Sequence, residues 1–303
     1  MNIVRQHAEA ATVSTMATLA RWLPRKGLLA VGSAFGWVMY RLDRRHREIT
    51  LRNLRLAYGD ALTPGEQRRI ARGCWMHFSR IGFDTLNFPK FSAASIGTVV
   101  RYEGLQHIRA AYARGKGVLL FSAHYGHWEL VALMQGYLDL PLVLITRPLD
   151  NPVLEKRLAR LRAVSGNVII HRRGAVREMV KAIRRGLGVA IVIDQDARRR
   201  GIFVPFFGRP SSTTPTLAAM ALKTGAAVVP VFSVPQPDGS YAVTYGREID
   251  IEDTGDRDAD VYRITAQCTA IIERWVRKHP NVWLWMHRRW KTIPGKRGAP
   301  ELT

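Results

Sequence analysis

The chain has little cysteine and few acidic residues. Its two cysteines, Cys74 and Cys268, lie far apart and have neither the spacing of a zinc site nor that of a disulfide framework. Two such thiols are ordinary in a reducing compartment. Aspartate and glutamate number 24 against 46 lysine and arginine, so the formal net charge is +22. That field concentrates anionic partners, and composition alone leaves open nucleic acid, acidic lipid headgroups and an acidic carrier protein.

The sequence also lacks an apolar run of the roughly 20 residues that a spanning helix needs. Residues 8–23 are mildly apolar, charges interrupt at 25–26, and residues 27–40 are uncharged before a cluster of arginines begins at Arg41. This layout predicts a helical segment, residues 1–45, that lies in or dips into a membrane with its basic flank on anionic headgroups. There are two alternatives. One is a buried core helix with a solvated basic end, and the other is a single membrane anchor formed by joining both runs.

Repeats, low-complexity tracts and flexible linkers are missing too, so residues 46–303 are predicted to form one domain. Thr63, Pro64 and Glu66 have the spacing of a capping box and predict a helix from about residue 67 to 84. Apolar strands then alternate with helices, which indicates an α/β fold with a mostly parallel central sheet covered by helices. The predicted strands are 117–122, 140–146, 168–171, 188–194 and 226–234, with an added hairpin partner at 241–251; the predicted helices are 128–138, 151–164, 174–185, 214–224 and 260–279.

Titratable side chains follow these strands repeatedly. In parallel sheets, ligands bind beyond the carboxyl ends of the strands, so these groups are the candidate site. The first strand is followed by His124, His127 and Glu129, the second by Arg147, the third by His171, Arg172 and Arg173, and the fourth by Asp194, Gln195 and Asp196.

His124 and Glu129 offer general-base chemistry. A carboxylate can hold a histidine in one tautomer and stabilise the imidazolium that forms when it removes a proton. With an activated donor such as a thioester, the base can deprotonate an acceptor hydroxyl directly. Ser122 is not a hydrolase nucleophile by pattern, because Leu120 and His124 stand where G-x-S-x-G requires glycine.

The other candidates each have an ordinary structural interpretation. His127 fits packing or support of the site better than metal binding, since no further ligand cluster or H-E-x-x-H motif is present, and no metal or cofactor is expected. Arg147, Arg172 and Arg173 are phosphate contacts or solvated charges. Asp194 and Asp196 contact substrate or an arginine, or they cap the next turn. Residues 198–200, three arginines, form an exposed charge run or a patch for a carrier protein or headgroups.

Five blocks together resemble a known family. Residues 121–129 resemble the H-x4-D/E motif of glycerolipid-type acyltransferases. Residues 47–54, 194–196, 203–215 and 285–292 are similar to further blocks of the bacterial lipid A biosynthesis acyltransferases, the late lauroyl and myristoyl transferases. The blocks extend from about residue 40 to 292.

The resemblance implies an O-acyltransferase on the cytoplasmic face of the inner membrane, attached at one leaflet or by a single N-terminal anchor. It would move a fatty acyl chain from acyl carrier protein, or acyl-CoA, to a hydroxyl of an anionic membrane lipid, most simply a lipid A precursor. Other glycolipid or phospholipid acceptors are the alternative. His124 would be the base and Glu129 its orienting partner. Nucleic acid is not an expected partner: a nucleic-acid-binding protein is supported by charge alone, and no motif of a binding fold is present.

Overall fold

The structure is a computed structural model. It describes residues 22–295 except 141, 147, 172 and 173, together with 6, 7, 9, 11, 15 and 18. The three predicted phosphate contacts, Arg147, Arg172 and Arg173, lie outside the described residues, as does most of the first apolar run.

A seven-stranded mixed sheet forms the centre of the fold. Five neighbouring strands run parallel, and the two strands at one edge run the other way. A separate antiparallel hairpin, β6–β7, lies beside the sheet. The sheet order is β1-β9-β8-β2-β5-β3-β4, and the strands are β1 Val100–Glu103, β2 Val118–Ser122, β3 Leu142–Thr146, β4 Val168–His171, β5 Gly188–Val192, β6 Ile202–Phe206, β7 Arg209–Thr213, β8 Ala227–Pro235 and β9 Tyr241–Tyr245.

Helices cover both faces of the sheet. Buried residues form two apolar clusters, one on each face, as the uninterrupted apolar strands predict. The helices are α1 Arg25–Leu42, α2 Arg44–Tyr58, α3 Pro64–Thr85, α4 Leu105–Ala113, α5 Trp128–Tyr137, α6 Pro152–Ala163, α7 Ala175–Arg184, α8 Thr216–Thr224 and α9 Arg257–Lys278.

The predicted parallel strands, the helices between them and the hairpin partner are confirmed. The capping box is present as well: Glu66 N–H donates to Thr63 Oγ1, and Thr63 N–H donates to the Glu66 carboxylate. The edge strand β1 and the β6–β7 hairpin were not predicted. β1 has only four residues, and the hairpin carries Pro205 and Pro210, which obscure any strand pattern.

One face of α1 packs on α3. Leu28, Leu29 and Gly36 are buried there, and a side chain at Gly36 would meet the backbone oxygen of Trp75 at 2.5 Å. The opposite face is exposed and apolar: Val31, Phe35, Val38 and Leu42 lie along one stripe and are 42–72% exposed. Among the described residues, no helix is long and apolar enough to cross a membrane.

Candidate active site

Strand register brings two predicted site residues together. β2 and β5 are parallel neighbours, and Ser122 pairs with Val192 at their carboxyl ends. His124 and Asp194 each lie two residues beyond that pair, so they reach the same level at the edge of the sheet. Residues seventy positions apart in the chain therefore become neighbours.

The carboxylate of Asp194 holds the backbone and the ring of His124. Asp194 Oδ2 accepts from the His124 N–H at 2.8 Å, and Asp194 Oδ1 lies 2.8 Å from His124 Nδ1. The indole N–H of Trp283 also donates to Oδ2 at 2.8 Å. The Asp194 side chain is 2% exposed and that of His124 is 23% exposed, so a solvated reactant can reach the imidazole but not its partner.

These contacts oppose the effect of burial on both titrations. Burial alone lowers the pKa of His124, but the charge and hydrogen bond of Asp194, with a smaller contribution from Glu129, raise the pKa above its ordinary value. Burial alone raises the pKa of Asp194, and its interactions with His124 and Trp283 lower it below the ordinary value. The pair thus favours a carboxylate facing Nδ1–H, which leaves Nε2 as the basic nitrogen.

The structure corrects the expected pairing of His124 with Glu129. Both oxygens of Glu129 bind the guanidinium of Arg162 on α6, at 2.5 and 2.8 Å. The two side chains are only 11% and 16% exposed. Glu129 lies in the first turn of α5 and points toward α6, whereas Asp194 occupies the position beside Nδ1. Five residues of separation placed Glu129 near the histidine but did not place it in contact.

The turn that carries His124 is held from three sides. Gly126 has φ +55°, and a side chain there would meet the Ser233 oxygen at 1.8 Å. The Gly126 N–H donates to Val282 O, and its carbonyl accepts from His77 Nε2 on α3. The next N–H, of His127, donates to Ser233 Oγ at 2.7 Å. The position of the imidazole is therefore fixed by α3, β8 and the segment after α9.

His127 has a supporting position, as the sequence favoured. Its side chain is fully buried and its Nδ1 accepts from the Leu130 N–H, which caps α5. The proton consequently lies on Nε2, 3.6 Å from the buried carboxylate of Asp84. Burial lowers the pKa of His127 to about 4, so the ring is neutral at ordinary pH. Asp84 in turn binds Arg25 of α1 through two hydrogen bonds.

Asp196 joins the site to the C-terminal segment. Its N–H donates to His287 Nε2, and Thr292 Oγ1 donates to its Oδ2. Its other oxygen is buried and has no hydrogen-bond partner among the described residues. Nearby, the buried Arg289 donates to the carbonyls of Gln195 and Ser212. Asp196 thus keeps one buried carboxylate oxygen without a hydrogen-bond donor.

An apolar cavity of about 680 Å³ opens at His124. Its walls are mostly the aliphatic side chains of β2, β3, β5, α5 and α7. The polar groups converge at one end, where the ring of Trp128 stands edge-on to His124 at 5.4 Å between centroids. The polar side chains there include His124, Glu129, Arg162, Gln195, Asp196 and Arg200.

The sequence alone missed Arg162, Trp283 and Gln195. Arg162 looks like any helix arginine, and Trp283 looks like a core aromatic. Gln195 was quoted only as a neighbour of two aspartates, yet its Nε2 lies 3.4 Å from His124 Nε2. The signal that could have identified Asp194 as the histidine's partner was the equal offset of both residues from the ends of two adjacent strands.

A histidine–carboxylate pair at the polar end of an apolar cavity is the arrangement expected of an enzyme site that binds a hydrophobic reactant. The chain matches the family described as bacterial lipid A biosynthesis acyltransferase over residues 5–292, and it belongs to that family. It is therefore an acyltransferase, as the resemblance implied.

Individual relatives agree with this membership. A lipid A biosynthesis acyltransferase of Haemophilus influenzae is 29% identical over 286 residues, covering 91% of this chain and 88% of the relative. The lipid A biosynthesis lauroyltransferase of Escherichia coli is 26% identical, covering 90% and 88%. A phosphatidylinositol mannoside acyltransferase of Mycolicibacterium smegmatis is 23% identical, covering 73% and 72%.

Proposed function

We propose that this acyltransferase moves a fatty acyl chain from acyl carrier protein, or acyl-CoA, to a hydroxyl of a lipid A precursor. The observation that carries the proposal is the His124–Asp194 pair at the polar end of the apolar cavity. It combines a base accessible to a hydroxyl with space for hydrocarbon. The lipid A relatives support the choice of acceptor.

His124 is the proposed general base. Its Nε2 takes the proton of the acceptor hydroxyl while the oxygen attacks the thioester carbonyl. The tetrahedral intermediate then collapses: the C–S bond breaks, the new ester C–O bond remains, and the imidazolium returns its proton to the departing thiolate. Asp194 stabilises the imidazolium because it lies at Nδ1 in a position that excludes water.

Gln195 and Glu129 are proposed to assist this step. The amide of Gln195, close to Nε2, can donate a hydrogen bond where negative charge develops on the carbonyl oxygen. Glu129 acts on His124 through space, since its charge contributes to the raised pKa. Its bidentate contact also fixes Arg162 at the cavity wall, where the guanidinium can attract an anionic reactant.

Positive charge near the cavity suits the anionic reactants. Arg200 lines the cavity, and we propose that Arg147, Arg172 and Arg173, each next to a strand end, bind acceptor phosphates. Asp196 also lines the cavity, and we propose that it accepts a hydrogen bond from a hydroxyl or amide of the acceptor.

A membrane surface is the proposed place of action, namely the cytoplasmic leaflet of the inner membrane. The exposed apolar stripe of α1 would enter the interface, and the arginines that follow it would lie on anionic headgroups. Arg41, in the last turn of α1, already lies over the ring of Trp37 at 4.0 Å from its centroid. A basic amphipathic helix of this kind binds a leaflet without crossing it.

Another glycolipid acceptor is the second candidate. The relatives named phosphatidylinositol mannoside acyltransferase support it over a smaller share of this chain, 73% and 42%. Transfer to such an acceptor would use the same His124–Asp194 chemistry. Only the acceptor groups that bind at the cavity rim would differ.

The test incubates purified enzyme with a defined acyl carrier protein thioester, with and without a lipid A precursor, and follows products by mass spectrometry. An increase of one acyl chain in the acceptor is the expected result. Release of free fatty acid that does not depend on acceptor would mean a hydrolase. Transfer only to phosphatidylinositol mannoside would mean the second acceptor. Salt-sensitive binding to DNA without affinity for anionic vesicles would favour a nucleic-acid-binding protein.

A further inference from the structure

The apolar cavity has walls on both faces of the sheet. Side chains alternate along a strand, so even- and odd-numbered residues of β2, β3 and β5 face opposite sides. Cavity-lining residues of both parities are present, and the helices that cover opposite faces, α5 and α7, both contribute. A single cavity reaches both faces only by passing over an edge of the sheet or between its strands.

The passage lies between β3 and β5. Their pairing ends at Leu144 and Ala190, whereas β5 remains paired to β2 as far as Val192. β3 likewise remains paired to β4 as far as Thr146. The two strands therefore separate at their carboxyl ends, and the gap opens at the level of His124.

The cavity consequently divides into two arms that meet at this gap. One, the α5 arm, is walled by Leu120, Leu142, Leu144, Ala190, Val131 and Ala132. The other, the α7 arm, is walled by Ile145, Ile191, Ile193, Ala175, Val176 and Met179.

We infer that the two arms hold two different hydrocarbon chains during the reaction: the donor acyl chain in the α5 arm and a chain of the lipid acceptor in the α7 arm. This inference rests on the proposed function. If both reactants carry hydrocarbon, each needs an apolar environment while its polar end reaches His124. A cavity with two apolar branches and one shared polar end satisfies both requirements at once.

Exposure decides which chain enters which arm. Four of the six residues named for each arm are buried, but none of those in the α5 arm is exposed, so a chain in that arm is covered. A donor that comes from an aqueous carrier needs that cover. The α7 arm is open at its edge, where Val176 is 56% exposed. An acceptor whose remaining chains stay in the bilayer needs an open groove, and Arg200 and Thr216 also line the cavity and can contact its headgroup.

Two matched substitutions test the inference. Ala190→Leu fills the α5 arm and Ala175→Leu fills the α7 arm with the same added volume. Each variant is assayed with a chain-length series of acyl carrier protein thioesters and with a titration of one lipid A precursor. Thermal unfolding checks the fold, and if either leucine variant fails to fold, Ala190→Val and Ala175→Val replace the pair.

We expect Ala190→Leu to move the preferred donor to a shorter chain, with a loss of about tenfold or more for the chain that the wild type prefers. The KM for acceptor should stay within about twofold of the wild type. Ala175→Leu should raise the KM for acceptor by about fivefold or more and leave the donor preference unchanged.

Three results would overturn the inference: both variants shift the donor preference, neither variant changes either selectivity, or the two effects are exchanged. A wild-type enzyme that transfers to no lipid acceptor would instead overturn the proposed function. The two failures are distinguishable because the wild type is measured first in the same assay.

Discussion

Asp194 accepts three hydrogen bonds, two from His124 and one from Trp283, and thereby sets both the orientation and the protonation of the imidazole. Its charge raises the pKa of His124, which strengthens Nε2 as a base and also extends the pH range in which the ring is protonated and inactive. Rate and pH dependence therefore depend on the same carboxylate.

Asp194→Asn should separate these effects. Without the carboxylate charge, the pKa of His124 falls, so the neutral base persists to lower pH and the acidic limb of the pH–rate profile moves to lower pH. The plateau rate should fall by about 10²-fold or more, because the imidazolium loses its stabilising charge. A kcat/KM profile with pH, at constant ionic strength, gives both quantities. An acidic limb that stays in place or moves to higher pH would contradict the assignment of Asp194.

The ion pair of Glu129 and Arg162 has two interpretations: it stabilises the fold, or it also supports catalysis. Glu129→Gln or Arg162→Met alone leaves a largely buried charge without its partner and should cost about 3–5 kcal/mol in the free energy of unfolding. The double variant should regain much of that stability but not the transfer rate, because the proposed action of Glu129 on His124 is still missing. Recovery of both stability and rate in the double variant would make the pair purely structural.

Single residues also show how far sequence reasoning reaches. His124 at the mouth of a strand was found from its position after an apolar run. Its predicted partner, Glu129, was wrong, because a carboxylate five residues away in the sequence was favoured over Asp194, which is seventy residues away. Asp194 is a neighbour of His124 only because β2 and β5 pair in parallel at this register, and strand pairing is set by the tertiary structure. Arg162 gave no signal because its role depends on α6 packing beside α5.

At the scale of elements, the β2–α5 turn is the critical piece, since it holds His124 between α3, β8 and the segment after α9. Its geometry depends on the absence of a side chain at Gly126, where the backbone approaches Ser233 closely. α3 also connects this turn to α1: it carries His77, which binds Gly126 O, and Asp84, which binds Arg25 of α1.

Gly126→Ala should therefore destabilise the fold and reduce transfer per folded molecule. Gly59→Ala is its matched control, because Gly59 has nearly the same φ, +54°, but no heavy atom within 4 Å of an added Cβ. The control should lose only the conformational part, about 1–3 kcal/mol, and keep its specific activity. Chemical denaturation and an assay normalised to folded protein measure the two effects. Equal behaviour of both variants would mean that the close approach to Ser233 is unimportant.

Strand and helix prediction succeeded where local patterns were strong. The uncharged, β-branched run of β5 and the capped start of α3 were both placed within a few residues. Prediction failed where the pairing of strands, rather than the local sequence, determines the structure. β1 is only four residues long and exists because β9 lies beside it, and the β6–β7 hairpin contains prolines that a local pattern would exclude.

Considered as a whole, the molecule combines a net charge of +22 with an exposed apolar stripe on α1. In the proposed attachment, charge would attract the protein to an anionic surface over about 8 Å at physiological salt, and insertion of the apolar stripe would hold it there. The two contributions differ in their response to salt, which allows them to be separated.

Binding to vesicles should depend on both. Affinity for phosphatidylglycerol-containing vesicles should exceed that for neutral vesicles and fall with added salt. Replacing two stripe residues, Phe35→Ser with Val38→Ser, should weaken binding by about tenfold or more at any salt concentration. The control, Val164→Ser with Val168→Ser, removes exposed valines elsewhere and should bind like the wild type. Equal weakening in both double variants, measured by vesicle sedimentation, would remove α1 as the attachment surface.

The most direct test of the account is acyl transfer by His124→Ala. Purified wild-type and variant enzymes are given the same acyl carrier protein thioester and lipid A precursor, and the acylated product is quantified by mass spectrometry. His107→Ala, on α4 and outside the cavity, controls for the loss of a histidine. The account predicts a loss of about 10²–10⁴-fold in His124→Ala with an unchanged unfolding temperature and normal activity in the control. Near-normal transfer by His124→Ala would contradict the assignment of the base on which the proposed mechanism rests.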